Sequence, residues 1–307
     1  MEEKKKKIYK SLFTNELWDL DTGDMPRWRK RIVRFMKLLR ITVDTFFANK
    51  MGFQCVALSY FVALAVIPLV ALIFVVTNGL GLGNYLQEVI ATLSPQYPDI
   101  INFLSEKATN IIDSAKSGTV GLISALAFIW TILWLMFQVE RVFNNVWGIT
   151  KVPRKLYTRF SFYILVTLLL PFLVLIFGVG IAYMTNLTAL IGLDLENVQQ
   201  IWTALGWVTF YAITALTLSA MYKFIPAVKV KYIHALKSAA VCAVFFVGFQ
   251  YLYLETQIFV SSVNGVYGAI AAIPLFLIWM NFSWQIIIYG AELTYSYENI
   301  DTYQIPE

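Results

Sequence analysis

Three polar side chains interrupt the most apolar part of the C-terminal third: Asn281, Gln285 and Glu292 in WMNFSWQIIIYGAEL. Spacings of 4 and 7 put them on one face of a helix. Amide and carboxyl groups are costly in an apolar run, and their presence points to a polar path, an ion-handling group or a packing bond. Gln54 opens another apolar run and Glu140 with Arg141 closes a third. One end of a helical bundle can therefore gather Gln54, Glu140, Arg141, Gln285 and Glu292, either as a site or as a salt-bridge network that fixes helix packing. A second polar set, Gln250, Glu255, Gln257 and Asn264 followed by Tyr267, belongs nearer the opposite end. There Glu255 is expected to be solvated, and Gln250, more than a turn deeper, to need an interior partner. Together, Gln54, Glu140, Arg141, Gln250, Asn281, Gln285 and Glu292 are the candidate polar pathway.

Other chemistries fail for want of residues. His234 is the single histidine, so a His-rich zinc hydrolase is excluded and a Ser-His-Asp arrangement has little room. No GxxxxGK[ST] loop and no GxGxxG after a strand occurs, which leaves ATP and dinucleotide use unsupported. GLGLG at 79–83 reads as a flexible exit turn. The acids of DLDTGD, Asp19, Asp21 and Asp24, lack the register and terminal Glu of a calcium loop. Cys55 and Cys242 lie in apolar stretches and read as packing residues rather than a disulfide. The expectation is a protein that is not an enzyme and uses no cofactor or metal.

The elements that must hold these groups follow from hydropathy. The 307 residues are 59% hydrophobic and only 14% charged, against about 25% charged in soluble domains. Crossing the bilayer takes about 20 apolar residues. Six stretches qualify: 52–77, 119–137, 160–183, 202–222, 235–258 and 268–289, with Pro68, Pro171 and Pro274 inside three of them. Of the 24 Lys and Arg, 22 fall in the N-terminal tail or beside the 137–160 and 222–237 connections, leaving Lys107 and Lys116 for the other side. That asymmetry places both termini in the cytoplasm. The expected fold is all-α: a polytopic membrane protein with six transmembrane helices plus amphipathic interfacial helices. Residues 1–50 form a basic cytoplasmic tail, 51–298 the membrane domain with an outer helical segment at 84–118, and 299–307 a cytoplasmic C-terminal tail.

From Pro26 to Ala48 the tail reads as an amphipathic helix lying flat in the interface. Trp28, Ile32, Phe35, Leu39, Val43 and Phe46 form its apolar stripe, and Arg27, Arg29, Lys30, Arg31, Arg34, Lys37 and Arg40 cover much of the rest. The preceding Lys4–Lys7 run reads as disordered. In the outer segment, Pro98 and Asp99 start a helix with the stripe Ile101, Leu104, Ala108, Ile111, Ile112 and Ala115. The net charge of +5 then signals anionic headgroups rather than nucleic acid. Arg27, Arg31, Arg34, Arg154, Lys155, Arg159, Lys229 and Lys231 are the candidate contacts to anionic lipid.

Four segments carry a resemblance: ALSYFVALAVIPL (57–69), FQVERVFNNVWGI (137–149), YKFIPAVKVKYIHALKSA (222–239) and VNGVYGAIAAIPLFLIWMNFSWQIIIYGAEL (263–293). They resemble the YihY/BrkB family of bacterial inner-membrane proteins, once labelled ribonuclease BN, over approximately residues 40–298. The resemblance implies six spans and supplies no settled activity. The ribonuclease label belongs to zinc-dependent proteins, whose chemistry one histidine does not furnish. The leading expectation is transport or flipping of an anionic amphiphilic envelope component. A non-transporting scaffold for envelope assembly is the alternative.

Overall fold

The computed structural model describes residues 26–79, 119–151, 195–263 and 265–303, with isolated positions between 81 and 164. Among the described residues every regular element is α-helical: α1 Arg27–Ala48, α2 Met51–Gly79, α3 Thr119–Val146, α4 Leu195–Phe224, α5 Tyr232–Val263 and α6 Gly265–Asn299. Three of these contain stretches long and apolar enough to cross a membrane: Met51–Ile73, Tyr232–Tyr253 and Pro274–Asn299. They correspond to the first, fifth and sixth expected spans. The second and fourth expected spans are helical, within α3 and α4. Most of the third, with Pro171, lies outside the described residues, as do Arg154, the acids at 19–24, the Lys4–Lys7 run and nearly all of 84–118.

Helix ends follow local chemistry. Pro26 precedes α1 in an extended conformation and its carbonyl accepts from Lys30 N at 3.1 Å, so the imino acid costs no helical bond. α1 stops at Asn49, and Lys50 has φ +51°, a left-handed residue that breaks the helix before α2 begins at Met51. α3 stops at the Asn-rich turn, where Gly148 has φ +66° and Trp147 N and Ile149 N both return to the Asn144 carbonyl. Pro68 and Pro274 lie inside α2 and α6, both of which continue through them.

Contacts divide the chain into two compact units. The first comprises residues 1–56, 142–152 and 213–307; the second comprises 57–141 and 153–212. In the first unit α6 is the central element, packed against α5 and α1. Leu38 and Ile41 of α1 bury against Leu293 of α6 and Ile300 just beyond it. Phe46 stacks on Tyr289 with ring centroids 3.8 Å apart. Behind that face, Tyr222 of α4 donates to the Ile287 carbonyl at 3.0 Å, and Cys242 of α5 lies 3.6 Å from the Ile286 carbonyl. Gly290 makes this approach possible: a Cβ there would stand 2.5 Å from Cys242 Sγ and 2.7 Å from Tyr222 Cζ. Both cysteines are buried and neither forms a disulfide.

α1 differs from its expected pattern in one respect. Trp28, Ile32, Phe35, Leu39 and Val43 are exposed, as an interfacial stripe requires, but Phe46 is buried and Phe47, 68% exposed, takes its place. The reason is a second apolar face. Leu38, Ile41, Thr42, Thr45 and Phe46 are the buried residues of α1, and Phe46 turns with them towards α6. α1 thus touches protein on one side and offers Trp28, Ile32, Phe35, Leu39, Val43 and Phe47 on the other.

Candidate functional site

Glu292 is the most enclosed of the candidate polar groups. Its carboxyl is fully buried, and Oε1 accepts from Asn49 Nδ2 at 3.4 Å. Thr45 and Asn49 are the carboxyl's hydrogen-bonding neighbours, and among the described residues no Lys, Arg or His makes an ion pair with it. Asn49 is the C-cap of α1, and its carbonyl accepts from Gln54 Nε2 at 3.0 Å. Gln54, Asn49 and Glu292 therefore tie the α1–α2 break to α6. A turn further along, the Thr42 and Ser296 hydroxyls lie 2.9 Å apart, and Ser296 also donates to the Glu292 carbonyl at 2.9 Å.

The other polar groups of α6 form separate pairs. Gln285 Nε2 donates to Asn281 Oδ1 at 2.6 Å, leaving Asn281 Nδ2 buried and without a partner. Gln250 has the interior partner expected of it: its Oε1 accepts from Trp279 Nε1 at 3.0 Å. Glu255 is exposed, while the side chains of Gln257, Asn264 and Tyr267 lie outside the described set.

Glu140 and Arg141 belong to the second unit. Glu140 Oε2 meets Arg159 Nη2 at 2.6 Å and Nε at 2.7 Å, and the Tyr163 hydroxyl donates to the same oxygen. Burial alone would lower the Arg159 pKa, but its bonds to Glu140 and Tyr163 raise it. Arg159 also lies over the Phe137 ring, 5.0 Å from its centroid. It was expected to face lipid headgroups; here its charge is already neutralised by protein. Arg141 itself is exposed. Within the first unit Gln54, Asn49 and Glu292 form a chain and Asn281 and Gln285 a pair; within the second, Glu140, Arg159 and Tyr163 form a group.

Several connecting residues carried no advance signal. Asn144, fully buried, accepts from Ala227 N at 2.7 Å and so fastens the end of α3 to the turn after α4. Trp147 packs edge-on against Tyr295. Glu298 of α6 accepts from Lys231 N at 2.6 Å at the start of α5, with His234 Nδ1 3.1 Å away and its ring stacked on Tyr297. A carboxylate at a helix N-terminus is favourable there, and the two residues giving it away are distant in sequence. Lys229, Lys231 and Lys155 are exposed.

The basic residues of α1 are gathered as well. Arg27, Lys30, Arg31, Arg34 and Lys37 line an open groove of about 420 Å³ whose opposite wall is Ile300 and Asp301. Ile300 is 8% exposed and locked into the α1–α6 core, so that wall is fixed. Among the described residues no group of three or more His, Cys, Asp or Glu is placed to hold a metal ion.

The family described as "Virulence factor BrkB" matches residues 42–306. A UPF0761 membrane protein of Haemophilus influenzae is 27% identical over 263 residues, covering 83% of this chain and 93% of its own. One from Mannheimia succiniciproducens is 27% identical, covering 87% and 91%. One from Psychrobacter is 28% identical over 85% of this chain, which spans only 48% of that longer relative. No solved structure matches. Helices fit to cross a bilayer, joined through the very segments VFNNVWG and GAEL, agree with that match across most of the sequence: the chain is an integral membrane protein of the BrkB family.

Proposed function

We propose that this membrane protein takes up an anionic amphiphile at the cytoplasmic face of the bacterial inner membrane and carries its headgroup across. The observation that carries the reading is the double character of α1. Its stripe of Trp28, Ile32, Phe35, Leu39, Val43 and Phe47 is exposed, and a groove of five cations runs beside it. A helix of that kind lies in the interface with its apolar side among acyl chains, where basic residues attract anionic headgroups. With six spans and both termini cytoplasmic, the arrangement that the distribution of Lys and Arg favours, α1 belongs at the inner leaflet. Within α6, Asn281 Nδ2 is a buried donor with no partner among the described residues, and Glu292 is a fully buried carboxyl. No bond-making chemistry is needed for this role.

The test is reconstitution into liposomes carrying a fluorescent anionic lipid in the inner leaflet, with chemical quenching from outside. Transport predicts quenching beyond the half accessible in protein-free vesicles. Protein that stays folded and correctly inserted but leaves the lipid where it was would sink the transport reading and favour a scaffold.

A further inference from the structure

We infer that the groove between α1 and the end of α6 is a specific site for a phosphate group bearing two negative charges, a terminal phosphomonoester or a diphosphate. The inference rests on the reading above only for the source of that phosphate. Its first ground is a seam in the sequence. Arg27, Arg31, Arg34, Leu38, Ile41 and Thr45 recur at alternating spacings of 4 and 3, which places them along one side of α1. The second half of that seam is buried against α6. The first half overhangs the point where α6 ends at Asn299, and there the seam changes from apolar to guanidinium. These arginines, on the face next to the exposed stripe, share the groove with the fixed wall formed by Ile300 and Asp301.

The second ground is charge. Lys30 and Lys37 join the three arginines in the groove, and among its described lining residues the carboxylate is that of Asp301. Arg27 with Arg31 and Lys30 with Arg34 are like-charged pairs four residues apart, which destabilise a helix. By contrast Arg40, outside the groove, has Asp44 four residues on at 2.6 Å. Among the described residues Arg27, Lys30, Arg31 and Arg34 make no such ion pair. A cluster built at that cost, on a rigid wall, is complementary to concentrated negative charge. Guanidinium forks bind phosphate oxygens two at a time, and a monoester or diphosphate presents more of them than a diester does. All five cations precede residue 42, where the family match begins, whereas the wall of Ile300 and Asp301 lies within it.

The experiment uses the full chain in neutral-lipid nanodiscs and three soluble probes: dihexanoyl phosphatidic acid, dihexanoyl phosphatidylglycerol and inorganic pyrophosphate. Phosphatidic acid or pyrophosphate should bind at least tenfold more tightly than phosphatidylglycerol. Phosphatidic acid ahead of pyrophosphate identifies a lipid source, and the reverse a free phosphate; either supports the site. Arg31→Gln with Arg34→Gln, both exposed and safe for folding, should weaken the preferred probe about 25-fold, at about fivefold per cation. Asp301→Asn should tighten it, and Lys237→Gln, exposed and outside the groove, should leave it unchanged. Equal affinity for the monoester and diester lipids, or a loss no larger for the double variant than for Lys237→Gln, would overturn the proposal in favour of a diffuse basic surface. Binding that behaves as expected in a protein that fails the liposome assay would leave the site standing and remove transport alone.

Discussion

Gly290→Ala is a one-carbon change with a large expected effect. The new methyl would lie 2.5 Å from Cys242 Sγ and 2.7 Å from Tyr222 Cζ, and nearer still to the Tyr222 hydroxyl. Ordinary contact needs more than an ångström beyond that. Tyr222 is fully buried between α4 and α6, so it has no empty space to retreat into. Moving it breaks its 3.0 Å bond to the Ile287 carbonyl, at about 1–3 kcal/mol for polar groups left unpaired. Overpacking adds about 1–3 kcal/mol, and alanine returns about 1 kcal/mol of helix propensity. The net loss is about 1–5 kcal/mol. Thermal unfolding of the purified protein in detergent, followed by size-exclusion chromatography after heating, should show a midpoint lowered by roughly 2–20 °C. Adding Cys242→Ala to Gly290→Ala removes one of the two obstructing groups and should restore a substantial part of the loss. A single variant within 2 °C of the parent, or a double variant whose losses simply add, would refute the close-approach reasoning.

Three further outcomes follow from the buried polar groups. Arg159→Met should cost about 3–5 kcal/mol because it strands the Glu140 carboxylate, 3% exposed, without its cation; pairing it with Glu140→Gln should recover most of that in the same melting assay. Asn144→Ala should lower stability by about 1–3 kcal/mol by leaving Ala227 N unpaired, whereas Asn144→Asp, which keeps the acceptor, should be milder. Glu292→Gln keeps volume and the bond to Asn49 and should be tolerated, while Glu292→Leu should release Asn49 and raise protease cleavage at the α1–α2 break.

How much of this was legible beforehand depended on whether a feature is periodic. Helices, their apolar stretches and the amphipathic α1 follow from hydropathy and 3.6-residue spacing, both local properties. The interior partner of Gln250 was inferable because a buried amide needs one, although Trp279 as that partner was not. The polar cluster was less accessible. Depth along a helix is readable in sequence, but rotation about its axis and choice of neighbour are not. Glu140 accordingly pairs with Arg159 and Tyr163, and Glu292 with Asn49. Asn49 itself sits in an unremarkable ANKMG, and only the left-handed Lys50 beside it makes it a cap that can reach α6. Phe46 and Phe47 show the same limit at single-residue scale, since both are compatible with the stripe until α6 claims one of them.

The two faces of α1 also explain why a hydrogen-bond acceptor at Glu292 is worth keeping in an otherwise costly place. On the function proposed above, α1 stays fixed to α6 while its other face meets lipid, and apolar packing by Leu38 and Ile41 resists sliding only weakly because it has no direction. Hydrogen bonds are directional. The Asn49–Glu292 and Thr42–Ser296 bonds cross the same interface, about two helical turns apart on α1 and about one on α6, and fix both register and rotation. That registration keeps the Arg27–Arg31–Arg34 row opposite Ile300 and Asp301 rather than turned towards the membrane. Breaking both bonds together, as in Glu292→Leu with Ser296→Ala, should therefore weaken phosphate binding at a groove that neither residue touches. The protein should still insert, because the apolar contacts remain. If the double variant binds the preferred probe as the parent does, register is set by packing alone and the hydrogen bonds have no part in shaping the groove.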